Sequence, residues 1–136
     1  ARSVGAEDTF GEDLTGRAAL EPELLAQAGR VGRRLRAAGL AGHVVTLKVK
    51  YADFTLVTRR VTLERPTDDG HAIFEAVCGL LARVDLARPL RLTGVQVSGF
   101  AGDAERFEAE VQPWPGDLRE HSRRLAADAL RGAQEA

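Results

Sequence analysis

The segment 44–63, VVTLKVKYADFTLVTRRVTL, limits what this chain can become more than any other stretch. Val45, Leu47, Val49 and Tyr51 fall at every second position, with Thr46, Lys48 and Lys50 between them. Successive strand side chains point to opposite faces, so this spacing predicts one buried face and one cationic, exposed face. Ala52-Asp53-Phe54 supplies a turn, and a second strand returns through Arg59 and Arg60 to Leu63. Both lysines of the chain lie in this hairpin. A sheet that shows water a row of cations suits an anionic partner.

The chain as a whole is not basic. Its net charge is −1 over 136 residues, so any polyanion site must be local. Residues 43–65 set Lys48, Lys50, Arg59, Arg60 and Arg65 against only Asp53 and Glu64, whereas residues 103–136 are acid-rich. The length suits one domain with an appendage, and 44% hydrophobic residues suffice for a core. The one cysteine, Cys78, excludes a disulfide framework and makes the cytoplasm the default compartment. No apolar run approaches membrane-spanning length, and no signal peptide is visible. The chain has no Met, which points to a fragment or a processed product. Its preference for Arg over Lys, with abundant Ala, Gly and Leu, suggests a GC-rich genome.

Around the hairpin the other elements follow. Residues 2–10 suit a short irregular strand, and polar residues 11–21 a connection. A helix is expected from about Pro22 to Ala38, with Leu24, Ala28, Val31 and Leu35 on one stripe and Gly39 as its stop. A second helix is expected from an N-cap at Thr67 to about Val84, with Ile73, Val77, Leu80 and Leu81 inward. Leu90–Phe100 alternates as a last strand, with Arg91 on the parity of Thr93, Val95 and Val97. The order β-α-β-β-α-β predicts an α+β fold: a two-layer sandwich of a four-stranded, mostly antiparallel sheet with two helices on one face. Residues 101–116 suit a loop. A C-terminal helical extension is expected from Leu118 to about Ala133, capped by Asp117. The predicted division is a domain over 1–100 and an extension over 101–136.

Chemistry-bearing motifs are missing. His43, His71 and His121 sit at unrelated positions, and there is no cysteine pair, so no metal-ligand spacing arises. There is no GxxxxGK[ST], GxGxxG or GxSxG motif. Asp68-Asp69 is better read as a helix N-terminal turn than as a Mg²⁺ pair. Cys78, beside Val77 on a core helix, is better read as structural than as a nucleophile. A charged hairpin face is often only a guard against edge aggregation. Here the cations alternate with Thr46, Thr58 and Thr62, whose hydroxyls suit phosphate oxygens, and the face lacks the aromatics that stack unpaired bases. That combination suits contact with a duplex backbone.

Four runs then carry a family resemblance: Arg2-Ser3-Val4-Gly5 with Thr9-Phe10; Thr46 through Phe54; Val57-Thr58-Arg59 with Thr62-Leu63; and Arg91 through Gly99. In order and spacing, across residues 1–100, they resemble the C-terminal "little finger" domain of Y-family, translesion polymerases of the DNA polymerase IV type. The resemblance implies a domain whose sheet grips template and primer backbones beside a catalytic core. It implies no cofactor in this domain, with Mg²⁺ held by a palm domain elsewhere in the same polypeptide, and hence a fragment without catalytic residues of its own. Its partners would be primer–template DNA and that catalytic core, with no membrane.

The implied DNA-binding residues are Arg2, Ser3, Val4 and Gly5 on the first strand, where backbone amides approach phosphates. Lys48 and Lys50 follow on the second strand, Thr58 and Arg59 on the third, and Arg91 on the last. This chain departs from the family pattern in places. Arg60-Val61 replaces a small residue followed by Arg, which shifts one cation by a residue and toward the other face. Leu92 and Gln96 stand where many relatives carry Arg. A sliding-clamp peptide of the QxxLF kind is absent, so clamp contact has no motif behind it. Trp114 and the residues after it are faintly similar to an extension in some high-GC relatives. A rival expectation is an α+β protein–protein interaction module that uses the open sheet face.

Overall fold

The computed structural model describes residues 3–100. Arg2 and residues 101–136, with the expected third helix, lie outside the described residues. The elements run β1 (Ser3–Leu14), α1 (Arg17–Ala38), β2 (Gly42–Tyr51), β3 (Leu56–Thr67), α2 (Gly70–Leu81) and β4 (Leu90–Phe100). The sheet order is β1-β4-β2-β3, antiparallel throughout. This is the expected α+β sandwich. Strands β4 and β2 are central, and both helices lie on one face.

The hairpin's alternation has the consequence its spacing predicts. Val45, Leu47, Val49 and Tyr51 are buried, and α1 and α2 bring Leu20, Leu24, Ala28, Val31, Leu35, Ile73, Val77 and Leu81 against the same layer. Burying an apolar side chain of this size contributes about 1.5–3 kcal/mol, and this layer holds the sheet in register. The helices cross closely where Gly32 meets Gly70. A Cβ on Gly32 would stand 2.8 Å from the Gly70 amide nitrogen, so any larger residue forces the helices apart.

Several boundaries differ from the sequence expectation. Strand β1 runs to Leu14, into the supposed connection. Helix α1 begins at Arg17 and carries Pro22 inside it. Leu20 continues the buried stripe one turn earlier, and Arg17 anchors that turn by donating to the Cys78 carbonyl at 2.9 Å and pairing with Glu21. Packing therefore outweighs the hydrogen bond that proline cannot make. Helix α2 is capped by Asp69, whose carboxylate accepts from the Ala72 amide at 3.1 Å, while Thr67 accepts from the Asp69 amide. The cap thus moves two residues on from Thr67, and α2 ends at Leu81 rather than Val84.

A polar chain crosses the core between the layers. Gln27 on α1 is fully buried; it accepts from the Thr93 hydroxyl at 3.2 Å and donates to Asp8 at 3.1 Å. Arg30 pairs with the same Asp8 oxygen. Every member is satisfied, so the chain ties β1 to β4 through α1 without an orphaned buried group.

Candidate nucleic-acid interface

The face of the sheet away from the helices is fixed by register. Thr46 lies opposite Arg60, Lys48 opposite Thr58, and Lys50 opposite Leu56 across the β2–β3 ladder. On the other side, Lys48 faces Gly94, and Gly94 faces Glu7 on β1. Directly opposed residues share a face. The open face therefore carries Ser3, Gly5, Glu7, Thr46, Lys48, Lys50, Thr58, Arg60 and Gln96.

This register reverses one pair of expectations. Arg59 lies opposite the buried Leu47 and so points to the helix side. There it donates to the Arg83 carbonyl at 3.2 Å, just past the end of α2, and to the Thr58 carbonyl at 2.8 Å. Arg60, the cation that the shifted pattern had placed off the exposed face, is the one on it. Val4 is also corrected in part: its side chain is buried in the core, so only its backbone is left for any partner. The Gly5 carbonyl accepts from Arg34 of α1.

Arg91 reaches the hairpin end by a device that alternation does not foresee. Lys50 pairs with Leu92, but Tyr51 pairs with Leu90, so Arg91 is an extra residue in β4. Such a bulge re-aims side chains locally. Arg91 lies 4.5 Å from the centre of the Phe54 ring, and the Lys50 ammonium lies 5.9 Å from it. Phe54 is 63% exposed with φ at +72°, an uncommon conformation for a bulky residue. The turn is held by Tyr51 accepting from the Phe54 amide and by the Asp53 carboxylate accepting from the Thr55 amide. Arg88 pairs with Asp53 at 2.9 Å and stacks on the Tyr51 ring.

Across all four strands the open face sinks into a trench of about 300 Å³. Gly5, Gly94, Thr46 and Thr58 line it together with Glu7 and Lys48. Gly94 is required here, because a Cβ on it would stand 2.9 Å from the Glu7 Cβ. Glu7 reaches over Gly94 to the Lys48 ammonium at 2.8 Å. No spacing in the sequence announces this pair; it arises from the β1–β4–β2 register. Thr46 and Thr58 are 2% and 5% exposed, and both hydroxyl oxygens are buried without a hydrogen-bond partner. The basic face of α1 is largely engaged elsewhere: Arg30 with Asp8, Arg34 with Gly5, and Arg36 with the Asp68 carbonyl at 2.7 Å.

Three groups titrate away from their ordinary ranges. Burial, reinforced by Asp85, pushes the Tyr51 phenol up, and its hydroxyl donates to the Asp85 carbonyl at 2.6 Å. Burial likewise pushes the half-buried Cys78 thiol up, against the thiolate a nucleophile needs. Hydrogen bonds from Thr55, with Arg88 beside it, hold the Asp53 carboxyl below its usual range. Among the described residues no three His, Cys, Asp or Glu side chains gather to hold a metal, and no helix is long and apolar enough to cross a membrane.

Residues 1–112 match the C-terminal domain of the impB/mucB/samB family. The chain belongs to that family. It is 45% identical over 100 residues to a DNA polymerase IV of Streptomyces coelicolor, covering 74% of this chain and 21% of that one. Against a DNA polymerase IV of Caulobacter vibrioides it is 35% identical over 131 residues, 96% of this chain and 32% of that one. The chain thus spans a third or less of the length of these impB/mucB/samB relatives. Among solved structures, the little finger domain of PolIV in complex with the β-clamp processivity factor matches with a TM-score of 0.61 at 22% identity, over 71% of this chain and 87% of that one. An insertion ternary complex of Dbh DNA polymerase matches at 0.58 and 14% identity, over 71% of this chain and 28% of that one. The fold is that of a little finger, and the expected likeness to the Y-family, DNA polymerase IV type is borne out.

Proposed function

We propose that this little finger holds the sugar–phosphate backbone of a primer–template duplex on the open face of its sheet, without reading base sequence. One observation carries the proposal: Lys48, Lys50, Thr58 and Arg60 share the face away from both helices, with Arg91 turned toward its end by the β4 bulge. Phosphate neutralisation by a few such cations gives a sequence-independent, salt-sensitive grip. The relatives' description as DNA polymerase IV supports a parent that performs translesion synthesis in DNA repair, with its Mg²⁺ and catalytic carboxylates in a separate palm domain. In that setting the domain positions DNA in the cytoplasm for an active site it does not contain. The division into a DNA-binding domain over 1–100 and an extension beyond it belongs to the same proposal, as do backbone contacts from Ser3 to Gly5 and a contact from Arg2.

The test is binding of the 136-residue chain to a primer–template duplex across a salt series. The double substitution Lys48→Ala, Lys50→Ala should flatten the plot of log affinity against log salt by up to about 2 units while leaving the fold intact. An unchanged slope would remove these lysines from the interface. A sliding-clamp contact is a second reading, favoured only by the solved little finger whose partner is a β-clamp.

A further inference from the structure

We infer that the trench is a seat for a single phosphodiester, and that Glu7 occupies it when DNA is absent. The inference rests on the DNA-binding proposal above and deepens it. Two buried hydroxyls, Thr46 Oγ1 and Thr58 Oγ1, lack any partner and line this trench. Buried polar groups are almost always satisfied, so two orphans in one depression call for a ligand that would complete them. Both are potential donors, and the cation beside them is Lys48. Donors with one cation at their rim fit an anion bearing several acceptor oxygens, and a backbone phosphate is such a group.

The seat is guarded from within. Glu7 sits on β1, one strand beyond the glycine that leaves room for it, and its carboxylate holds Lys48 at 2.8 Å. That carboxylate occupies the position in which a phosphate would meet the lysine. The pair is 37% and 51% exposed, so it holds by about fivefold or less and yields to a competing anion. When a phosphodiester enters, Lys48 exchanges the carboxylate for a phosphate oxygen, the threonine hydroxyls turn toward the phosphate, and Glu7 is left facing like charge. Glu7 therefore weakens the grip by design of the sheet, which keeps one of the two lysines neutralised until DNA arrives.

The test compares duplex affinity of the 136-residue chain with that of four variants at low salt, about 50 mM: Glu7→Gln, Lys48→Ala, the two combined, and Thr46→Val with Thr58→Val. Glu7→Gln keeps the side chain's size but not its charge, and should bind about three- to tenfold tighter. In a Lys48→Ala background the same change should gain clearly less, because only the repulsion between carboxylate and phosphate is left to relieve. Thr46→Val with Thr58→Val keeps the shape and removes both hydroxyls. It should weaken DNA binding several-fold while the thermal midpoint holds or rises, since no orphaned hydroxyl stays buried. A purely structural role for the threonines would instead lower the midpoint and spare DNA affinity. If the unaltered chain binds duplex but Glu7→Gln and the valine pair leave affinity unchanged, the seat is wrong and the DNA-binding proposal survives. If the unaltered chain does not bind duplex at low salt, both fall together.

Discussion

Adjacent residues on opposite faces of one strand offer a sharp test. Arg59 and Arg60 have the same side chain, yet the β2–β3 register sends Arg59 toward α2 and Arg60 to the open face. If Arg60 neutralises one phosphate, Arg60→Ala should reduce the salt slope of duplex binding by about 0.9. Over a fourfold rise in salt, from about 50 to about 200 mM, its affinity deficit should then shrink by about 3.5-fold. Its unfolding midpoint should stay close to that of the unaltered chain. Arg59→Ala should do the reverse. It loses the bonds to the Arg83 and Thr58 carbonyls, at 3.2 and 2.8 Å. Bonds from a charged donor are worth more than neutral ones, but these are partly solvated, so the net loss is about 1 kcal/mol. For a domain of this size that is roughly 4 °C in Tm, with the salt slope untouched. Fluorescence anisotropy on a labelled primer–template and thermal unfolding separate the two effects. If Arg59→Ala flattened the slope and Arg60→Ala left it alone, the face assignment and everything built on it would be refuted.

Three further outcomes are expected. Leu47→Ala, at a position 1% exposed on the helix-covered face of the sheet, should cost about 2–5 kcal/mol by chemical denaturation; a loss below about 1 kcal/mol would mean the core is not where it is placed. Asp53 has its folded pKa depressed by Thr55 and Arg88, so its contribution to stability is present above the ordinary carboxylate range and is lost as pH falls below about 4. The stability gap between the unaltered chain and Asp53→Asn should therefore narrow on acidification, and a widening gap would contradict the assignment. Cys78, with its thiol pushed up by burial, should react with iodoacetamide at pH 8 several-fold more slowly than a free cysteine, and an equal rate would show an accessible thiolate.

Much of the architecture was legible because period-two and period-3.6 patterns report burial directly. The hairpin's inward set, the α1 stripe from Leu24 to Leu35 and the limits of β4 all follow from spacing. The start of α1 was not legible, because Pro22 is a strong local signal and the packing of Leu20 that overrides it is tertiary. The cap of α2 was misplaced for a related reason: Thr67 and Asp69 are both good capping residues, and backbone geometry chooses between them.

Strand side chains must alternate, so the spacing of its residues is enough to turn one cationic face of the hairpin to solvent. It also places Lys48, Lys50 and Thr58 on that face. Thr58 and Arg60 share a parity, so alternation already sets Arg60 beside them and turns Arg59 away. What the fold adds is the partner each residue meets across the sheet. A bulge likewise frees Arg91 from its parity, and the glycine at position 94 lets Glu7 reach Lys48 from a strand more than eighty residues away along the chain from that glycine. Alternation is local and can be read from neighbours, whereas the partner across a sheet is chosen by the whole fold.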